Sequence, residues 1–182
     1  EMDLLPPGAK YVEVENDMPD DYLKLLAEVD HLEGVRILAE SAVSITEDSL
    51  GIIGTAKGLK VLDLRGNSFG PEALTFPADL FPSLKWLGVA VGADGISMES
   101  LGQLADRGVT VEIGVVSCAE GMIAALKAAL PQITALTTIS AGDADLKELG
   151  TFKQLKCLVL DRCDAGELGY VWLAKSGSLQ EL

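Results

Sequence analysis

The feature that most constrains this chain is a repeat. Leu59-Lys-Val-Leu62-Asp-Leu64-Arg-Gly-Asn67-Ser-Phe69 fits the template L-x-x-L-x-L-x-x-N-x-F without a miss. Leu155-Lys-Cys-Leu158-Val-Leu160-Asp-Arg-Cys163 fits it with Cys in the Asn place. Weaker copies begin at Ala9 (Val12, Val14), Leu32 (Val35, Ile37), Leu84 (Leu87, Val89), Gly108 (Val111, Ile113) and Ile133 (Leu136, Thr138). A partial copy runs from Leu179 to Leu182, and successive starts lie 22 to 27 residues apart. A unit of that size cannot bury its apolar face alone and must stack on its neighbours. The chain therefore reads as a single domain of seven repeats and a fragment of an eighth.

Each unit carries two periodicities. Alternation sends the fourth and sixth positions to one face of a short strand and the fifth to the other. Helical spacing follows at Tyr22/Leu25/Leu26/Val29, Leu101/Leu104/Ala105, Met122/Leu126/Ala129 and Leu146/Leu149/Phe152. Start signals precede several of these: Asp20-Asp21, Asp48-Ser49, Ser97 and Asp145. Strand and helix alternating at short intervals close as right-handed crossovers to a parallel sheet. The third unit differs, because Pro71 and Pro77 break its helical stretch.

These motifs resemble the leucine-rich-repeat family from about Ala9 to Leu182. The resemblance implies an α/β leucine-rich-repeat solenoid, with a curved parallel sheet on the concave face and helices or irregular segments on the convex face. The chain departs from the family at the ninth position, which reads Asp17, Glu40, Asn67, Gly92, Val116, Ala141 and Cys163 rather than a ladder of Asn or Cys.

Composition then excludes whole function classes. No uninterrupted apolar run of about eighteen residues exists, so no membrane partner is expected. A net charge of −14 argues against a nucleic-acid backbone. Residues 1–33 hold ten acids against Lys10 and Lys24, which makes them the acidic pole. The only histidine is His31, beside Asp30 at a helix end, so paired-His metal sites are out of reach. No cofactor is expected. Three cysteines without a C-x-x-C read as reduced cytoplasmic thiols, Cys118 and Cys163 inside and Cys157 on the outer face of the sheet.

Three local patterns imitate catalytic motifs. Gly66-Asn67-Ser68-Phe69-Gly70 is formally G-x-S-x-G, but no histidine follows Ser68, as the Ser–acid–His order of such enzymes requires. Gly51 to Lys60 lacks the phosphate-loop spacing and reads as a short helix ended by Gly58. Asp143 and Asp145 supply too few oxygens for calcium, and Asp145 reads as a helix cap.

Without a catalytic constellation, the sheet surface carries the functional reading. Positions three, five and seven face outward on each strand. The candidate partner-binding residues there are Tyr11, Glu13, Glu15, Arg36, Leu38, Asp63, Arg65, Trp86, Glu112, Ile139, Val159 and Asp161. The chain is read as a non-catalytic protein-binding module. Its expected partner is a protein with a basic patch and an apolar protrusion, meeting a surface that runs from acidic at Tyr11–Glu15 to nearly uncharged between Trp86 and Ile139. The alternatives are an enzyme regulator or the sensor part of a longer receptor or ubiquitin-ligase chain. As a regulator it would be an acidic inhibitor of a basic enzyme or a GTPase-activating protein, since Arg65 beside Asn67 resembles that branch of the family. The strand begun at Leu179 has no helix to cover it, so either a C-terminal cap in a longer chain or self-association through this sheet edge is also expected.

Overall fold

Apolar side chains at the fourth and sixth repeat positions, with one exception, fix where the strands run and which face is buried. The computed structural model describes residues 8–15, 20–38, 46–65, 80–91, 97–118 and 120–182. The described elements run, in order, β1 (Tyr11–Glu15), α1 (Asp20–Ala27), β2 (Gly34–Leu38), α2 (Glu47–Gly54), β3 (Val61–Leu64) and β4 (Trp86–Val91). They continue with α3 (Met98–Asp106), β5 (Thr110–Ser117), α4 (Met122–Ala129), β6 (Ala135–Ile139), α5 (Asp143–Leu149), β7 (Cys157–Asp161) and α6 (Glu167–Leu173). The seven strands form one sheet in chain order, and every neighbouring pair is parallel. The protein is thus an α/β fold with a single seven-stranded parallel sheet.

One core runs the length of the sheet. Val35/Ile37, Leu62/Leu64, Leu87/Val89 and Leu158 meet helix pairs such as Leu50/Ile53, Leu101/Leu104, Ile123/Leu126 and Leu146/Leu149. The first positions Leu32, Leu59, Leu84, Ile133 and Leu155 are buried beneath them. Removing one such leucine side chain costs about 2–5 kcal/mol.

A recurrent main-chain device sets the register. The carbonyl of Lys10 accepts from the N–H groups of both Glu33 (2.8 Å) and Gly34 (3.0 Å). Glu33 does the same for Lys60 and Val61, Lys60 for Lys85 and Trp86, Thr134 for Lys156 and Cys157, and Lys156 for Gln180 and Glu181. The last pair belongs to the partial eighth repeat, and a parallel bridge joins its Glu181 to Cys157. At β5 only the Thr110 N–H reaches Lys85. The Val109 N–H instead bonds Leu104 O and that of Gly108 bonds Ala105 O, closing α3 with Gly108 at φ +82°. That left-handed cap explains why the fifth repeat starts with Gly rather than Leu.

Several local expectations need correction. β5 and β6 pair Ile113 with Leu136, two residues away from the repeat frame, and a further shift falls between Ile113 and Val116. α1 buries Leu23 and Leu26, whereas Leu25 is exposed, so its apolar stripe is rotated from the expected one. α2 starts after Thr46, whose hydroxyl accepts from Ser49 N–H while Ser49 Oγ accepts from Thr46 N–H. It ends at Gly54, not Gly58, because Thr55 turns its N–H and hydroxyl onto Ile52 O. Asp145 lies within the first turn of α5 rather than ahead of it, and from there accepts the N–H of the N-cap Gly142 at 2.9 Å. Asp143 reaches further and accepts from Gly166 and Gly169 at 2.8 and 3.0 Å, capping α6 from the preceding helix. Cys118 and Cys163 are only half-buried, with the Cys163 thiol donating to Ala141 O at 3.3 Å. The Ser68 motif and the Pro71–Pro77 stretch lie outside the described residues.

One core position breaks the apolar rule. Thr138 takes the sixth place, held elsewhere by Val, Ile or Leu, and its fully buried hydroxyl has no hydrogen-bond partner among the described residues. Thr138→Val keeps the shape and removes the stranded group, so we expect it to stabilise the protein by about 1 kcal/mol. Urea unfolding checks this, and a destabilised variant would mean that the hydroxyl has a partner in solution.

Candidate functional site

Parallel strands in register place equivalent repeat positions side by side, so the outward residues form rows that cross the sheet. The second positions Lys10, Glu33 and Lys60 make one row, with both lysines 3.0 Å from the Glu33 carboxylate. Hydrogen bonds from Lys10 and then Lys60 hold the Glu33 carboxyl below the usual carboxylate range. Lys85 ends the row and makes no ion pair among the described residues.

The fifth positions make a second row. Glu13 accepts from Arg36 at 2.9 Å, and Arg36 Nε lies 3.5 Å from Asp63. The fifth position of β4 is Gly88, which leaves a gap in the row. Arg65 spans it: Nε and Nη2 donate to the two oxygens of Asp63 at 2.9 and 2.8 Å, and Nη1 donates to Glu112. Two glycines make this crossing possible. A Cβ at Gly88 would meet the Trp86 ring at 2.5 Å and Asp63 at 2.9 Å, and a Cβ at Gly114 would meet the Arg65 stem at 2.9 Å. The guanidinium also stands 5.1 Å from the Trp86 ring centroid. Burial alone would push the Asp63 carboxyl up. The side-chain and backbone hydrogen bonds from Arg65, with the charges of Arg65 and Arg36, outweigh it and hold the group below its ordinary value.

Between the two charged rows lies the third-position row, Tyr11, Gly34, Val61 and Trp86, paired in that order. The Tyr11 ring lies over Gly34, in the space where a Cβ would sit. The result is a groove of about 450 Å³ with an apolar floor at Gly34 and Val61, an aromatic ring toward each end, and Glu13, Arg36 and Asp63 along one side. Among the described residues no helix packs on this face.

Seven of the twelve candidate residues thus converge: Tyr11, Glu13, Arg36, Asp63, Arg65, Trp86 and Glu112. They are not independent exposed contacts, since Asp63 is only 7% exposed and the charges satisfy one another. The stretch expected to be uncharged beyond Trp86 is crossed by the Arg65–Glu112 pair. Leu38 and Ile139 are half-buried at strand ends, and Val159 and Asp161 lie exposed on β7, away from the groove. The side chain of Glu15 is outside the described set. Sequence reasoning missed the second-position row, although its Lys–Glu–Lys alternation at repeat spacing was available as a signal.

Two of the thiols are held in the protonated form. Burial first, and then the neighbouring Glu181, push Cys157 above the ordinary thiol range. Burial pushes Cys118 up to about 11. Among the described residues, no three His, Cys, Asp or Glu side chains are grouped to hold a metal ion. No described helix is long and apolar enough to cross a membrane. Comparison of the chain with protein-family models and with curated proteins finds no match.

The depressed Asp63 carboxyl gives a testable pH dependence. A native value below the unfolded one stabilises the fold fully above the unfolded pKa of about 3.9, and that contribution is lost as pH falls through the native value. Asp63→Asn should therefore be less stable than the parent by about 1–2 kcal/mol at pH 7. The gap should close progressively below about pH 4. Urea unfolding across that range checks it, and a gap independent of pH would remove Asp63 as the charged hub.

Proposed function

We propose that the chain is a leucine-rich-repeat solenoid, and that it serves as a non-catalytic module binding a partner protein across its open sheet face. The observation that carries this reading is the apolar groove between Tyr11 and Trp86, bordered on one side by Glu13, Arg36 and Asp63, on a sheet face that no described helix covers. Extended sheet faces of repeat stacks are binding surfaces, and an apolar slot ringed by polar groups suits an anchoring side chain. The solenoid part is supported by the chain-order parallel sheet, the shared-carbonyl register and the Cys163–Ala141 contact between ninth positions.

The partner's chemistry follows from the charges. An apolar side chain fills the slot over Gly34 and Val61. A basic patch beside it meets the carboxylates of Glu13 and the acidic stretch around β1, and Lys85 is available to a carboxylate. A cytoplasmic setting belongs to the same proposal, given three free thiols. Arg65, the candidate residue of the GTPase-activating alternative, is paired with Asp63 and Glu112, which favours the binding-module reading.

The test is affinity capture with mass spectrometry, followed by binding kinetics of variants with the captured protein. Trp86→Ala is expected to cost on the order of 2 kcal/mol in binding, about thirtyfold in Kd. Glu13→Lys should slow association and flatten its salt dependence. Unchanged binding by Trp86→Ala, together with loss on a substitution in the helix layer, would show that the partner sits elsewhere.

A further inference from the structure

Among the described residues, helix α6 carries an apolar surface that is left exposed. Within it only Gly169 and Leu173 are buried. Leu168 is 68% exposed, and Tyr170, Val171 and Trp172 are 43%, 45% and 42% exposed. The orientation of the helix is firmly fixed. Asp143 caps it from α5, Leu173 sits in the core, and a Cβ at Gly169 would meet Asp143 Oδ1 at 2.6 Å. Leu168, Tyr170 and Val171 project from one short helix, beside Trp172 with the ammonium groups of Lys147 and Lys175 at 5.3 and 4.3 Å from its ring centroid, and such a grouping marks a contact surface.

We propose that this surface is the contact of a symmetric dimer, in which α6 packs antiparallel against α6 of a second copy about a two-fold axis at Val171. The charge pattern favours a second copy over a foreign partner. Glu167 opens the helix and Lys175 follows its C-cap Ala174, four residues to either side of Val171. Both are exposed, and neither has a salt bridge among the described residues; the Lys175 ammonium rests 4.3 Å from the Trp172 ring centroid. Antiparallel pairing about Val171 sets each Glu167 opposite the partner's Lys175, so both pairs form at once. A two-fold contact requires this self-complementarity, and it also sets the two helix dipoles head to tail.

Long-range repulsion permits the same arrangement. Residues 122–182 carry six basic and seven acidic side chains, close to neutral, whereas two basic and ten acidic residues fall in 1–33. Contact through α6 keeps the acidic regions around β1 at the far ends of the pair. The proposal uses a different surface from the sheet-face groove and stands independently of it.

Sedimentation velocity on the 182-residue chain over a wide concentration range tests it. The expected result is a monomer–dimer equilibrium that Val171→Glu abolishes. Glu167→Lys and Lys175→Glu should each weaken dimerisation by about tenfold or more. The double variant Glu167→Lys/Lys175→Glu should recover it, because both cross-pairs are restored with their signs reversed. Circular dichroism controls for folding, and both charge positions are exposed. A chain that stays monomeric throughout, an open-ended series of larger species, dimers that survive Val171→Glu, or a double variant no better than the singles would each overturn the proposal.

Discussion

A single carbonyl per repeat, accepting two consecutive N–H groups from the next strand, keeps this molecule in phase. The oxygens of Lys10, Glu33, Lys60, Thr134 and Lys156 all serve this role. Fixing the second position of each strand against its neighbour fixes the rest, because side chains alternate with a period of two. A slip of one residue would send every leucine of the core face into solvent. Where another demand takes the donors, the phase weakens. At β5 the Val109 N–H closes α3 instead, and at the next seam the β5–β6 pairing runs two residues out of frame.

The outward rows are a consequence of that phasing. Glu13, Arg36 and Asp63 come from three strands more than twenty residues apart in sequence, yet the register sets them next to one another. The missing side chain at Gly88 then lets Arg65 reach Glu112 over a flat-lying Trp86. Exposed ion pairs are individually worth little. Their value here is in pre-shaping the groove: Arg65 is clamped by Asp63 and Glu112, and its guanidinium stands over the Trp86 ring.

Much of this was legible from the sequence, and the exceptions have physical causes. The seven strands were readable because alternation and the leading leucine recur together. The β5–β6 slip was not, since after Glu112 the run Ile113 to Val116 is apolar or small and no polar residue marks which face is out. The start of α2 was ambiguous among Thr46, Glu47, Asp48 and Ser49 until the reciprocal Thr46–Ser49 bonds selected Thr46. The Asp143 cap on α6 acts across 23 residues, where local rules do not look. The groove residues were each named from the sequence, but as separate contacts. Their coupling depends on Gly34, Gly88 and Gly114, positions whose importance lies in having no side chain.

Residue-resolved native-state amide hydrogen exchange tests the shared-carbonyl phasing most directly. The N–H pairs Glu33/Gly34, Lys60/Val61, Lys85/Trp86 and Lys156/Cys157 should exchange as slowly as the interior strand amides beside them, opening only with the body of the sheet. Exchange of those pairs at the rate of exposed turn amides would contradict the account, because the strands would then be held in phase by something other than these bonds.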